Sequence, residues 1–193
     1  MPDERVRCEW PGADEAMRRY HDEVWGVPMH DDRKLFEFLT LEGAQAGLSW
    51  STILGRIEGY REAFLDWDIK AIANMGERDV ERLRQDARII RNRAKIESTI
   101  SNARAVLELL PQWTTLDRYI WQFVDEVTVV NTPGGLGDIP AETERSQAMS
   151  KQLKRDGFRF VGPTICYAFM QAAGLVNDHT VDCFRHAEVA TAV

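Results

Sequence analysis

The sequence predicts an all-α protein, and three observations carry that reading. Apolar residues recur at three- and four-residue intervals: Ile96, Ile100, Ala103, Val106, Leu107 and Leu110 share one face of 96 to 110, and Leu116, Tyr119, Ile120, Phe123, Val124 and Val127 share one face of 116 to 127. The one strand-like run, Val127 to Val130, is short and has no obvious partner. Proline and glycine punctuate the chain between periodic segments, with Pro111 after a helix end and Thr132 to Gly137 as a turn-rich surface loop.

In chain order, helices are expected at about 13 to 22, 32 to 46, 50 to 65, 69 to 75, 77 to 86, 96 to 110, 116 to 127, 143 to 155 and 163 to 174. The tail from Glu188 to Val193 reads as frayed, and no internal repeat or low-complexity segment occurs. At 193 residues the chain suits a single domain over 1 to 193, or two small interleaved helical lobes.

Composition narrows the class. Charged residues are 28% and apolar residues 44%, a soluble profile, and no apolar run approaches the roughly 20 residues that span a bilayer. The segment MPDERVRCEW is too charged for a signal peptide, so a cytoplasmic protein with no membrane partner is expected. Three cysteines, Cys8, Cys166 and Cys183, are too few and odd in number for a disulfide scaffold. The net charge of −7 counts against nucleic-acid binding by overall attraction. Two local runs count for it: Arg88, Arg91, Arg93 and Lys95, and Lys151, Lys154, Arg155 and Arg159, each equally readable as a solvated helix face.

The densest stretch for function is GFRFVGPTICYAFMQAAGLVNDHTVDC, Gly157 to Cys183. Gly162 allows close backbone approach, Pro163 suits the first helical position, and Thr164 can help satisfy the first amides. Such a turn holds a phosphate at a helix N-terminus, or is an ordinary helix-helix connection. Cys8, His21, His179 and Cys183 make a complete tetrahedral zinc set with no open position, the structural kind of site. On a helix, the four-residue spacing of His179 and Cys183 would aim both the same way. The alternative is two core cysteines with solvent-facing histidines, with His186 as a rival ligand, His30 unpaired and Cys166 in the core.

Glu42 falls on the same helical face as Leu35, Leu39 and Ala46. A carboxylate there is costly unless paired, so it is either a buried salt bridge, a group reaching water at a helix end, or an acceptor on the floor of a pocket. Of six tryptophans, Trp10, Trp25 and Trp50 fall with Tyr20 in the N-terminal quarter, where aromatic faces beside a carboxylate suit a flat, electron-poor ring. Trp67, Trp113 and Trp121 read as core.

Three motifs, YHDEVWGVP (Tyr20 to Pro28), LEGAQAGLSW (Leu41 to Trp50) and GFRFVGPTICYAFMQAAGLVNDH (Gly157 to His179), closely resemble the DNA-3-methyladenine glycosylase I family of the helix-hairpin-helix glycosylase superfamily. The resemblance extends from about Cys8 to Cys183. It implies an all-helical fold, one structural zinc on Cys8, His21, His179 and Cys183, and a base pocket of Tyr20, Glu42 and Trp50 with Trp25 and Trp10 as further walls. It also implies a hairpin at Phe160 to Thr164 that meets DNA through Gly162 and Thr164, although Thr164 stands where the wider superfamily has a second glycine.

Asn177 occupies the position of the superfamily's aspartate, and an amide cannot act as a carboxylate base; Asp178 is expected to bond a zinc ligand from outside. N3-methyladenine is cationic in the nucleotide, so its departure as a neutral base needs no general acid. The resemblance therefore implies selection of a flipped base, with Glu42 as the recognition and electrostatic residue and Leu48 as a wedge in the duplex. The implied partner is double-stranded alkylated DNA, the product free 3-methyladenine, and the state monomeric. Two rival readings are a zinc-stapled helical module that binds DNA without chemistry, and a zinc hydrolase with an open ligand position.

Overall fold

The helix at the centre, α2 (Asp32–Gln45), starts where the Asp31 carboxylate accepts from the Lys34 amide at 2.9 Å, and it is buried without interruption from Leu35 to Ala44. A helix buried all round has no polar face, and so periodicity picks out its stripe only weakly. The computed structural model describes residues 5–190. Around α2 are α1 (Glu15–Glu23), α3 (Trp50–Leu54), α4 (Ile57–Ala63), α5 (Ile69–Ala73), α6 (Glu77–Arg84), α7 (Arg93–Trp113), α8 (Leu116–Trp121), α9 (Glu144–Arg155), α10 (Pro163–Ala172) and α11 (Phe184–Ala190). Helices α10, α7, α8 and α3 all pack against α2, α5 lies along α7, and α9 lies along α10. Their buried apolar side chains form one cluster.

Several boundaries differ from the sequence reading, each for a local reason. The helix expected over 50 to 65 is divided at Gly55 and Arg56, and beyond α4 the residues Leu65, Asp66 and Trp67 adopt φ of 54°, 55° and 58°. That left-handed turn folds Trp67 back onto Phe64, with ring centroids 5.7 Å apart. Pro111 lies inside α7 rather than after it, since a proline in the last turn forfeits a single backbone bond; Thr114, at φ 71°, ends the helix. The helix expected over 116 to 127 ends at Trp121, passes through a 3-10 turn at Gln122–Val124, and stops at Asp125 and Glu126 with φ of 56° and 63°.

The strand-like run does have a partner. Strand β1 (Val129–Val130) pairs in parallel with β2 (Val176–Asn177), the Val129 amide donating to the Leu175 carbonyl at 2.9 Å. The tail is not frayed from Glu188, because α11 runs to Ala190 with Val189 buried; residues 191–193 of that expectation lie outside the described residues.

Gly174 ends α10 at φ +74°, and a Cβ there would stand 2.4 Å from the backbone of Val27 and Pro28. Backbone cannot give way as a side-chain tip can. Gly174→Ala is therefore expected to cost about 3 kcal/mol or more, from left-handed strain and overpacking together, as read by denaturant unfolding. An unchanged midpoint would show that the α10 end and the Val27–Pro28 segment are free to separate.

Candidate functional site

A cavity of about 300 Å³ opens between α1, α2, α3 and α10. Tyr20, Trp25, Glu42 and Trp50 line it together with Trp10, and Gln45, Ala168, Gln171, Leu136 and Ile139 complete its wall. The volume is at the small end of the ligand-pocket range. Tyr20 and Trp50 face each other at 5.1 Å between centroids and 41° between planes. Trp10 meets Tyr20 edge-on at 6.1 Å and Trp25 edge-on at 5.2 Å.

Two carboxylates on α2 differ in a way that decides their reading. Glu37 is buried but held by the Arg61 guanidinium at 3.0 Å. Glu42, 4% exposed, has no hydrogen bond or ion pair among the described residues. Burial alone pushes its carboxyl up to about 8. The Tyr20 hydroxyl is likewise pushed well up, by burial and then by the nearby Glu42 charge. The salt bridge that would have made Glu42 structural is absent among the described residues; it faces the cavity instead. A larger groove of about 710 Å³ lies beyond Tyr20 and Phe38, and its walls mix both signs of charge.

Sequence reasoning did not find Gln45, Ala168, Gln171, Leu136 or Ile139. Gln45 follows Glu42 by three residues and Gln171 follows Ala168 by three, a helical spacing that would have found them once α2 and α10 were known to face each other. Leu136 belongs to the stretch read as an ordinary surface loop, which instead rims the cavity, and Ile139 follows just beyond it.

Directly behind Trp10 and Trp25 lie Cys8, His21, His179 and Cys183, all buried, their ligand atoms within 4.8 Å of one another. Such a group could hold a metal ion. His21 Nε2 and His179 Nδ1 are 3.2 Å apart, and Cys183 Sγ lies 3.5 Å from the first and 3.6 Å from the second. Cys8 Sγ is 3.6 Å from His179 Nδ1 and accepts from the Thr180 amide at 3.4 Å. The Cys183 thiol is held far below its ordinary range by Cys8, His179 and His21, while the contact with Cys183, then burial, pushes Cys8 up.

The outer ring nitrogens are also fixed. His21 Nδ1 lies 2.8 Å from Asp22, and His179 Nε2 lies 3.0 Å from the Trp25 carbonyl. Burial disfavours the Asp22 charge, but Arg7 and His21 outweigh it and hold the carboxyl below its usual range.

Three expectations about this region need correction. His179 and Cys183 do not lie on one helix; they converge through a loop closed by the Cys183 amide donating to the Thr180 carbonyl at 2.8 Å. Asp178 bonds no ligand of the group: its oxygens accept from Asn131, Tyr167 and Gln171, and Asp22 takes the outer role instead. His186 is no rival ligand, because its Nε2 lies 2.8 Å from the Asn131 carbonyl. His30 pairs with Asp117 and stacks on Trp121 at 4.5 Å. Asn177 is fully buried and spends its amide on the His186 carbonyl and the His179 amide, away from the cavity.

Between α9 and α10 the chain turns at Phe160, φ 56°, to Gly162 and enters α10 at Pro163. Ser150 donates to the Val161 carbonyl at 2.6 Å, while the first amides of α10 have no acceptor inside the helix. Thr164 is exposed there, as is Leu48, 40%, in the loop after α2. The two basic runs part company. Arg88 is taken up by Asp86 and Glu62, Arg93 by Glu77, Glu81 and Glu97, and Lys95 by backbone carbonyls, so that of this run Arg91 alone is exposed and makes no ion pair among the described residues. Lys151, Lys154, Arg155 and Arg159, beside the turn, are exposed and make no ion pair among the described residues.

An aromatic, carboxylate-floored cavity backed by a buried Cys/His group puts this helical protein in the class that can take a flat, electron-poor ring. Within that class, the chain belongs to the methyladenine glycosylase family, whose model matches residues 10–186. It is 51% identical to DNA-3-methyladenine glycosylase 1 of Escherichia coli (strain K12) over 177 residues, covering 92% of this chain and 95% of that protein. A crystal structure of 3-methyladenine DNA glycosylase I superposes with a TM-score of 0.91 at 50% identity, covering 93% of this chain and 98% of that one. A structure addressing 3-methyladenine recognition by the Staphylococcus aureus enzyme superposes at 0.90 with 34% identity, covering 92% and 95%.

Proposed function

We propose that this chain is a base-excision repair glycosylase that hydrolyses the N-glycosidic bond of N3-methyladenine in alkylated double-stranded DNA, acting as a monomer and a single domain in the cytoplasm. The observation that carries the reading is the unpaired, buried Glu42 facing an aromatic cavity of about 300 Å³. Stacking on the aromatic surface of Tyr20 and Trp50 favours a positively charged ring, by about 0.5 to 2 kcal/mol per contact, and Glu42 accepts from the exocyclic amine side. Trp10 and Trp25 close the wall. Arrival of a cation draws the Glu42 proton off, because an opposite charge favours the ionised form. The base then leaves neutral, water adds to the oxocarbenium-like sugar and gives up its proton to solvent, and the anionic Glu42 offsets the positive charge shared by base and sugar.

The turn at Phe160 to Thr164 reads as the hairpin of a helix-hairpin-helix unit, in which the backbone amides of Gly162 and Thr164 meet a phosphate. Leu48 enters the stack as the wedge. Lys151, Lys154 and Arg155 add sequence-independent attraction. Replacing these three by alanine is expected to flatten the salt dependence of duplex binding, the log–log slope falling by up to about 0.9 for each phosphate that is no longer neutralised; an unaltered slope would remove them from the interface.

The Cys/His group reads as a structural zinc site. Tetrahedral zinc with the usual bond lengths requires about 3.3 Å between two nitrogens and about 3.6 Å between nitrogen and sulfur, which the separations of 3.2, 3.5 and 3.6 Å match. A zinc held there by Cys8, His21, His179 and Cys183 supplies a crosslink, with no ligand position left for a hydrolytic water.

The reading is tested by incubating the protein with methylated duplex DNA and assaying free base by chromatography. Release of 3-methyladenine is expected. Binding without release would leave a DNA-binding module in place of an enzyme.

A further inference from the structure

Helix α7 grips both parts of the chain that face DNA in the reading above. The Leu48 loop leaves α2 through Ala46 and Gly47, the latter at φ +78°. Its own turn satisfies two carbonyls: Gly43 accepts from the Ala46 amide and Gln45 from the Leu48 amide. The Ala44 and Ala46 carbonyls are instead taken by Lys95 Nζ, at 2.7 and 2.8 Å. Two turns further along α7, the buried Asn102 side chain clamps Arg159, accepting from its amide at 2.8 Å and donating to its carbonyl at 3.0 Å. Arg159 immediately precedes the Phe160 turn. Seven residues place Lys95 and Asn102 on one helical face, about 10 Å apart along the axis. At Gly43, where a Cβ would stand 3.1 Å from the Phe160 carbonyl, α2 and the turn also touch directly.

We propose that Lys95 and Asn102 are positioning residues which use α7 as a rigid ruler, fixing the Leu48 loop at a set distance from the Phe160–Thr164 turn. The proposal rests on the glycosylase reading and on those two segments meeting DNA. Neither residue lines the cavity. Each acts through backbone, which is how a helix can register an intercalating side chain against a phosphate contact without touching either. Lys95 has no carboxylate partner among the described residues, and burial lowers its pKa; its hydrogen bonds go to the loop.

The test compares Lys95→Met, Lys95→Arg and Asn102→Ala with wild type on methylated duplex and on methylated single-stranded DNA of the same sequence. Free 3-methyladenine affinity, read by tryptophan fluorescence, and melting temperature are followed alongside. A misplaced wedge impairs insertion into a stacked duplex, so Lys95→Met should lower duplex excision about 100-fold, chiefly in kcat, with a much smaller loss on single strands. Lys95→Arg should restore most of it by reaching the same carbonyls. Asn102→Ala should act chiefly on KM for duplex, by loosening the phosphate grip; if it does not fold, the Lys95 pair decides alone. Equal losses on duplex and single strand, or a fall in free-base affinity, would overturn the ruler, as would unchanged duplex kinetics in Lys95→Met. Wild-type protein that excises no base from either DNA would instead overturn the glycosylase reading beneath it.

Discussion

Glu42→Gln is expected to lower excision of N3-methyladenine from duplex DNA by about 100-fold or more, the cost typical of removing one preorganised electrostatic group from a water-poor site, while the protein melts no lower than wild type. The two halves of that expectation come from the same observation. Glu42 has no partner among the described residues, so glutamine breaks no salt bridge, and it removes the cost of a charge that burial already disfavours. In excision, on the proposed role of Glu42, the lost charge matters when a cation fills the cavity. Single-turnover excision and thermal melting, measured on one preparation, separate the effects. Parallel loss of rate and stability would make Glu42 a structural residue.

The pH dependence follows with a definite sign. The folded carboxyl titrates at about 8 against an ordinary 4.5. Between those values the folded state keeps a proton that the unfolded chain has released, so stability is highest below the unfolded value and falls as pH rises, by about 1.4 kcal/mol per unit. The melting temperatures of wild type and Glu42→Gln should therefore agree near pH 5 and diverge by pH 8, glutamine being the more stable. Activity runs the other way. For free enzyme meeting a cation, kcat/KM should rise with pH towards about 8, because the ionised form of Glu42 binds the charge. In the complex the cation favours ionisation, so the rise in kcat should lie at lower pH. A flat kcat/KM profile across this range would mean that Glu42 never carries the charge.

How much of this was legible beforehand depended on whether the signal was local. The periodic faces of α7 and α8, the Gly162-Pro163 entry into α10 and the oddity of a glutamate beside Leu35 and Leu39 all sit within one segment. The meeting of Cys8 and His21 with His179 and Cys183 does not, and the residues alone left it open; the family resemblance supplied it. The pairing of Val129 with Val176 was missed for the same reason, since a two-residue strand carries no pattern that names a distant partner. Basic residues were visible only as two runs along the chain. Side-chain geometry was required to see that Arg88 and Arg93 are spent on carboxylates and Lys95 on the α2 carbonyls, whereas the run beside Phe160 faces solvent. Backbone breaks such as Leu65 to Trp67 and Asp125 to Glu126 were illegible because left-handed φ at non-glycine residues is imposed by packing, not by propensity.

Cys183→Ser should release the proposed zinc and lower the melting temperature by about 10 °C, the shift that a loss of roughly 3 to 5 kcal/mol produces in a chain of this size. The four side chains come from both ends of the chain, so an ion among them ties those ends together. Without an ion, four buried ligand groups stand within 4.8 Å of one another with no cation to hold them together. The consequence reaches the cavity, since Trp10 packs on His21 at 5.3 Å and Trp25 on His179 at 4.7 Å. Tryptophan fluorescence should therefore shift, and excision should fall, although no ligand lines the cavity itself. Cys166→Ala supplies the comparison: Cys166 is buried on α10 and outside the group, so that variant should keep its metal. Exchange of zinc for cobalt should leave excision nearly unaltered, because a crosslink needs the coordination geometry and not the acidity of the ion. Stoichiometric zinc in Cys183→Ser, found by elemental analysis, would take that residue out of the site, and turnover that tracks the exchanged metal would make the centre catalytic after all.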